Sequence, residues 1–291
     1  MTFDAKSLPP PPATPGARAA HDTDTPAKLV EFMMQHWAPP VLPPVEPYAH
    51  AAHTRARRGK LSAQFPGEVL VIGSGNLKVR ANDEFYPFRA CSDFVYLTGH
   101  QEPDSVLVMV PESGGHRAIL FVDPRPGKTE PSFFTDRIKG ELWEGPKLGV
   151  AAAAERYAIA DTRDLTTLRA FIDDVLRPAD QLRVLRGHAP DLEGWIARDG
   201  EAQRARDADL ATALSELRLI KDDGEIAELR NAIDLTKLGF EDVIRELRTA
   251  HNERQIENTF YARARLDGNH TGYQIIVGAG EHACTLHWRK N

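Results

Sequence analysis

Uninterrupted apolar runs alternate along the chain with longer stretches in which apolar residues return every three or four positions. The runs Glu68–Gly73, Ser105–Val110 and Ala118–Val122 have the length of strands, and the turn sequence Pro111-Glu-Ser-Gly-Gly115 joins the last two. Strands without polar alternation are apolar on both faces, which predicts a sheet covered by helices on both sides. Leu165–Leu176 and Trp195–Leu219 supply helical covers, and Val79–Pro87 looks extended or looped. The pattern predicts an α/β domain over residues 46–215.

Ahead of it, residues 1–45 hold a Pro-rich tail and a short helix. Thr25-Pro26 is a start signal, Leu29, Val30, Phe32, Met33 and Trp37 follow at helical spacing, and Pro39-Pro40 ends the run. This helix is expected to pack on the body of its own chain. Over residues 216–291 a second unit opens with Asp222 or Asp223 as a helix cap and an amphipathic repeat through Ile226, Leu229, Ile233 and Phe240. Another helix is predicted from about Glu253 to Leu266, then strands at Tyr273–Val277 and Ala283–Trp288 around the turn Gly278-Ala-Gly280. Two helices and the beginnings of a sheet do not close a domain, so the chain is expected to be incomplete.

Composition narrows the function classes. A formal charge of −6 and a hydrophobic content of 42% over 291 residues describe a globular protein without the basic bias of a nucleic-acid binder. No apolar run approaches a membrane span and no secretory signal is evident, which makes the cytosol the default compartment. Cys91 and Cys284 are the only cysteines, so neither a disulfide framework nor a Cys-based zinc site is expected.

Candidate chemistry is sparse. Gly73-x-Gly75 lacks the third glycine and the following helix of a dinucleotide loop. Arg55, Arg57, Arg58 and Lys60 look like the solvated face of a short helix, and Cys91 like an ordinary buried thiol. Asp267, His270, Glu281, His282, Cys284 and His287 crowd the last 25 residues. On a regular strand, however, His282 and His287 point to opposite faces, which argues against a self-contained metal site.

Two segments carry a more specific signal. Tyr86-Pro-Phe-Arg-Ala-Cys-Ser-Asp-Phe-Val-Tyr-Leu-Thr-Gly99 with Glu102-Pro resembles the N-terminal domain of the aminopeptidase P family. Leu217–Lys221, Glu225-Ile, Leu229-Arg-x-Ala232 and Thr271–Trp288 resemble the opening of that family's catalytic domain. The resemblance covers roughly residues 50–291. It implies a mixed sheet with flanking helices of the creatinase and aminopeptidase P N-terminal type, then an incomplete α+β domain of the pita-bread type.

The resemblance also implies a metallopeptidase that releases the first residue of Xaa-Pro peptides, with two Mn²⁺ ions and a bridging hydroxide as nucleophile. The metal ligands of that family would lie beyond Asn291, so no metal- or cofactor-binding residue is expected here and the chain alone would be inactive. His287 matches the family's histidine that hydrogen-bonds substrate or the tetrahedral intermediate. Val95 stands where several members carry a Trp that reaches a neighbouring subunit. A homo-oligomer, dimer or tetramer, is implied for the complete protein. A prolidase or creatinase-like hydrolase of the same fold, or a non-catalytic binding or oligomerisation module, are the alternatives.

Overall fold

The structure is a computed structural model that describes residues 25–291 apart from Asp83. The Pro-rich tail lies outside these residues except at its end. The chain divides into two compact units between Ile220 and Lys221.

The first unit opens with α1 (Ala27–Met33), whose N-cap is Pro26 with no side-chain cap. Then come α2 (Ala51–Gln64), β1 (Val69–Gly73) and a small hairpin, β2 (Val79–Ala81) and β3 (Glu84–Phe85). Helix α3 (Ser92–Thr98) leads to a long hairpin of β4 (Val106–Glu112) and β5 (Gly115–Val122). Next are α4 (Pro131–Thr135), α5 (Glu141–Glu144), α6 (Gly149–Tyr157) and β6 (Asp161–Asp164). A helical stretch over 165–176 that includes α7 (Leu168–Phe171) follows, then β7 (Leu182–Val184), α8 (Pro190–Ile196) and α9 (Glu201–Leu219). The helical cover predicted over Trp195–Leu219 forms, with an interruption between α8 and α9. Ala197 and Gly200 take positive φ (54° and 117°), which a helix cannot continue through.

Five strands form one mixed sheet in the order β6-β5-β4-β1-β7. The β1–β4 and β4–β5 pairs are antiparallel, while β1–β7 and β5–β6 are parallel. Strand alternation splits the apolar runs between two cores, as their lack of polar positions requires. Leu70, Ile72, Leu107, Met109, Leu120 and Val122 face α2, α3, α6 and α9, whereas Val69, Val71, Val106, Val108, Ile119 and Phe121 face the 165–176 helix and α8. Each such fully buried side chain contributes roughly 1.5–3 kcal/mol. Helix α1 rests on α4, with Trp37 6.4 Å from Phe134.

Of the four basic residues expected on a solvated face of α2, Arg55 and Lys60 are exposed but Arg57 and Arg58 are not. Arg57 and Arg58 are only 6% and 7% exposed. Their guanidinium groups donate to the carbonyls of Tyr96 (3.1 Å) and Leu97 (2.6 Å) in the last turn of α3, and Arg57 also lies 4.5 Å over the Tyr96 ring. Helix termini leave carbonyls without intrahelical partners, and these arginines satisfy two of them away from water. Burial, reinforced by the charge of Arg55, lowers the Arg58 pKa to about 10. Gly99 closes α3 at φ 78°, and a Cβ there would sit 2.3 Å from the Tyr48 ring.

In the second unit, α10 (Asp223–Glu246) begins with a full capping box: Asp222 accepts from the Glu225 N–H, and Glu225 accepts from the Asp222 N–H. It packs against α11 (Glu253–Leu266) as an antiparallel pair, with Gly239 under the Phe260 ring and Arg263 bonded to Asp242 at 2.7 Å. The predicted strands at Tyr273–Val277 and Ala283–Trp288 do not form. Gly280–Cys284 is a 3₁₀ turn and the flanking residues are irregular. An extended segment becomes a strand only by pairing, and no partner strand lies beside these segments among the described residues. The parity argument that separated His282 from His287 therefore loses its basis.

Two outcomes test this packing. Arg58→Ala leaves the Leu97 carbonyl buried without its donor and should destabilise the chain by roughly 2 kcal/mol in urea unfolding, against about 0.5 kcal/mol or less for exposed Arg55→Ala. His100 is buried beside Phe94 and Tyr157, and burial outweighs the attraction of Asp123 to lower its pKa from 6.5 to about 4. Between those values the unfolded chain binds a proton that the folded chain refuses, so stability falls on acidification through this window, by about 3 kcal/mol in all. His100→Phe should flatten that slope.

Candidate functional site

Among the described residues, polar side chains gather at several places. In the second unit the organising residue is Glu253. Asn252 caps α11 by accepting from the Gln255 N–H at 3.0 Å, which sets Glu253 in the first turn. Its carboxylate accepts from the Ala279 N–H (2.5 Å) and from Trp288 Nε1 (2.9 Å), and His282 Nδ1 lies 3.0 Å from Oε2. An ionised carboxylate only accepts, so that imidazole nitrogen carries the proton. The His282 ring stacks on Trp288 at 3.7 Å and 17°. The Ala279 N–H first, then the His282 and Trp288 donors, hold the Glu253 carboxyl below the usual range. A carboxylate held ionised in this way is a poor proton acceptor near neutral pH, so Glu253 positions the 278–288 segment rather than acting as a base.

The other titratable residues of this region do not converge. Asp267 pairs with Arg263 at 2.7 Å, His270 lies edge-on to Tyr261, and Glu281 and Cys284 are exposed. His287 is also exposed, beside the Trp288 that Glu253 holds. Among the described residues of this unit, no three His, Cys, Asp or Glu side chains meet closely enough to hold one ion.

The second place is a cavity of about 870 Å³ between α2, the tip of the β4–β5 hairpin and Ala158–Asp161. Ser62 Oγ lies 2.8 Å from His116 Nδ1, and His116 Nε2 lies 2.7 Å from the Glu68 carbonyl. The carbonyl can only accept, so Nε2 carries the proton and Nδ1 accepts from the serine. This is the spacing of a nucleophile and its base. A neutral carbonyl, however, does not stabilise an imidazolium as a carboxylate does. We read the pair as a brace between α2 and the hairpin. No sequence signal marked it, because Ser62, Glu68 and His116 share no local motif.

The third place is the Ser92-Asp93-Phe94 motif on α3. Phe94 is fully buried in the core, Asp93 bonds Arg218 at 2.8 Å, and the Tyr96 hydroxyl donates to the Leu217 carbonyl at 3.0 Å. The motif therefore docks α3 onto the last turn of α9. Val95 is half-buried.

Residues 54–185 match the family described as "Aminopeptidase P, N-terminal domain". The chain belongs to the aminopeptidase P family. It is 46% identical over 266 residues to Xaa-Pro aminopeptidase 1 of Streptomyces coelicolor, covering 91% of this chain and 53% of that protein. Xaa-Pro aminopeptidase 2 of the same organism is 43% identical over 268 residues, covering 91% and 55%. The chain thus spans about half the length of the curated relatives it matches. Its fold superposes on Escherichia coli aminopeptidase P with the inhibitor Pro-Leu at a TM-score of 0.69, with 24% identity over 84% of this chain and 56% of that one. Proline aminopeptidase P II from Yersinia pestis gives 0.69 at 26% identity, covering 82% and 56%. No helix among the described residues is long and apolar enough to cross a membrane.

Within this aminopeptidase P chain, the first resembling segment touches the start of the second at Leu217 and Arg218, both in the first unit. Asp93 and Tyr96 of one bond Arg218 and Leu217 of the other. Glu253 is the site residue that sequence reasoning missed. Its only local sign was its place behind Asn252 at a helix start.

Replacing Glu253 by Ala should release the 278–288 segment, read as faster amide exchange there and loss of the protected Trp288 indole N–H signal. Because the Glu253 carboxyl is held low, the ordering is present at neutral pH. It should be lost as pH falls below the usual glutamate range, through the lowered value.

Proposed function

We propose that the protein to which these 291 residues belong is an Xaa-Pro aminopeptidase, releasing the first residue from peptides with proline in second position. One observation carries this reading: the similarity to Xaa-Pro aminopeptidases runs through 266 residues, across both units, rather than stopping with the N-terminal domain at residue 185. A sheet domain shared across a fold family fixes no substrate, whereas the second unit is where substrate contacts are expected.

The family is one of metallopeptidases. Residues 221–291 do not assemble a carboxylate-rich pair of ion sites, so they do not fit two Mn²⁺ ions, and in this reading the metal ligands lie elsewhere in the protein. Within the chain, His287 is the residue assigned to substrate. It is exposed and free to donate to a tetrahedral intermediate, while Glu253 steadies the backbone around it through Ala279 and Trp288. The reading includes a homo-oligomeric assembly and a cytosolic location.

The isolated 291-residue chain should release no amino acid from an Xaa-Pro tripeptide with or without Mn²⁺. A chain extended to the length of its relatives should do so with Mn²⁺, and His287→Ala should lower kcat by about 10²–10³. Cleavage confined to Xaa-Pro dipeptides would indicate a prolidase instead. No cleavage of either by the extended protein would overturn the reading.

A further inference from the structure

Strands β1 and β7 are parallel neighbours, so their C-terminal ends open at the same edge of the sheet, and the chain leaves both into loops. The loop after β1 returns to the sheet at Cys91, whose N–H donates to the Ser74 carbonyl at 2.7 Å. The loop after β7 turns at Gly187, whose N–H is held by Glu193 Oε1 at 2.8 Å. His188 follows, its carbonyl close against Gly75 of the first loop. Two loops distant in sequence therefore lie side by side, and carboxyl ends of parallel strands are where α/β proteins commonly place ligands.

The side chains meeting there are a buried thiol, a half-buried carboxyl and an exposed imidazole. One donor atom each from Cys91, Asp93 and His188 lie within 4.8 Å of one another, the one such group among the described residues. Donors around a tetrahedral zinc ion sit about 3.3–3.6 Å apart, so closing the set asks for a shift on the order of 1 Å, which an exposed imidazole can supply. Asp93 is oriented by Arg218, which takes Oδ1 at 2.8 Å and leaves the other oxygen for an ion. Such an outer partner commonly fixes a ligating carboxylate.

We propose that Cys91 Sγ, an Asp93 carboxylate oxygen and a His188 ring nitrogen form a site for one thiophilic divalent ion of the zinc class, with a water in the fourth position. Thiolate and imidazole together favour zinc or cobalt over manganese, magnesium or calcium, so this ion is distinct in chemistry from the carboxylate-bound pair assigned to peptide hydrolysis. Thiolate and carboxylate neutralise the 2+ charge. The ion clips the β1–α3 loop to the β7–α8 loop, on the helix that carries the family motif. The inference does not rest on the proposed peptidase activity.

The test uses the full 291-residue chain, stripped of metal by chelation and titrated with Co²⁺, whose spectrum reports both thiolate ligation and tetrahedral geometry. One equivalent should produce a sulfur-to-cobalt charge-transfer band with intense visible d–d bands, and Zn²⁺ should displace it and raise the melting temperature. Cys91→Ser should abolish the charge-transfer band, whereas exposed Cys284→Ser should leave it unchanged. His188→Ala, a surface change that leaves the fold intact by circular dichroism, should weaken Co²⁺ binding at least about tenfold, since even outer partners of a metal are worth that much. The site is overturned if the wild-type chain shows no charge-transfer band, if the band disappears with Cys284→Ser, or if His188→Ala binds Co²⁺ as tightly as wild type. The His188 comparison decides the matter even where Cys91→Ser fails to fold.

Discussion

Helix α3 ends in the interior, where the carbonyls of its last turn have no water to turn to, and Arg57 and Arg58 of α2 supply their donors. The helix spans only seven residues, too few to be stable alone, so its position is set by what holds its ends. At one end are the two guanidinium groups and the Gly99 turn against Tyr48; along its length are buried Phe94 and the Asp93 and Tyr96 bonds to α9. Loss of one arginine leaves a buried acceptor unpaired and loosens every contact that α3 orders. The sheet supplies the bulk of the stabilisation, but this pair of buried charges decides where the motif of the family sits.

Glu253 does a related job in the second unit. One carboxylate gathers a backbone N–H, an imidazole and an indole that are all more than two dozen residues away. Both units thus use a charged side chain to organise backbone or polar groups that regular secondary structure leaves unsatisfied. In each case a segment that carries the family resemblance is held in place by charged side chains that lie outside it.

The α/β architecture was legible because the strands Val69–Gly73, Val106–Val110 and Ala118–Val122 are apolar without alternation, and a doubly covered sheet is the arrangement that buries both faces. The two long helices of the second unit were legible, the first from its Asp222 cap and apolar spacing, the second over Glu253–Leu266. Burial of Arg57 and Arg58 was not, since nothing within α2 distinguishes them from exposed Arg55; the difference lies in α3, 39 residues away. The strands expected near Tyr273 and Trp288 failed for a similar reason, because local propensity cannot create a partner. The Cys91–Asp93–His188 grouping escaped for want of any recognisable spacing, being assembled by sheet topology.

The parallel β1–β7 pair has a consequence for synthesis. The β1–β4–β5 portion of the sheet can form as the hairpin leaves the ribosome, but the flank of β1 that β7 will cover stays open until residue 184 has emerged. During that interval Val69 and Val71 lie on an apolar edge able to pair with another nascent chain. The first unit is therefore most vulnerable to misassembly in the middle of its own translation, and a pause placed after the β7 codons would shorten no hazard, whereas one placed before them would prolong it.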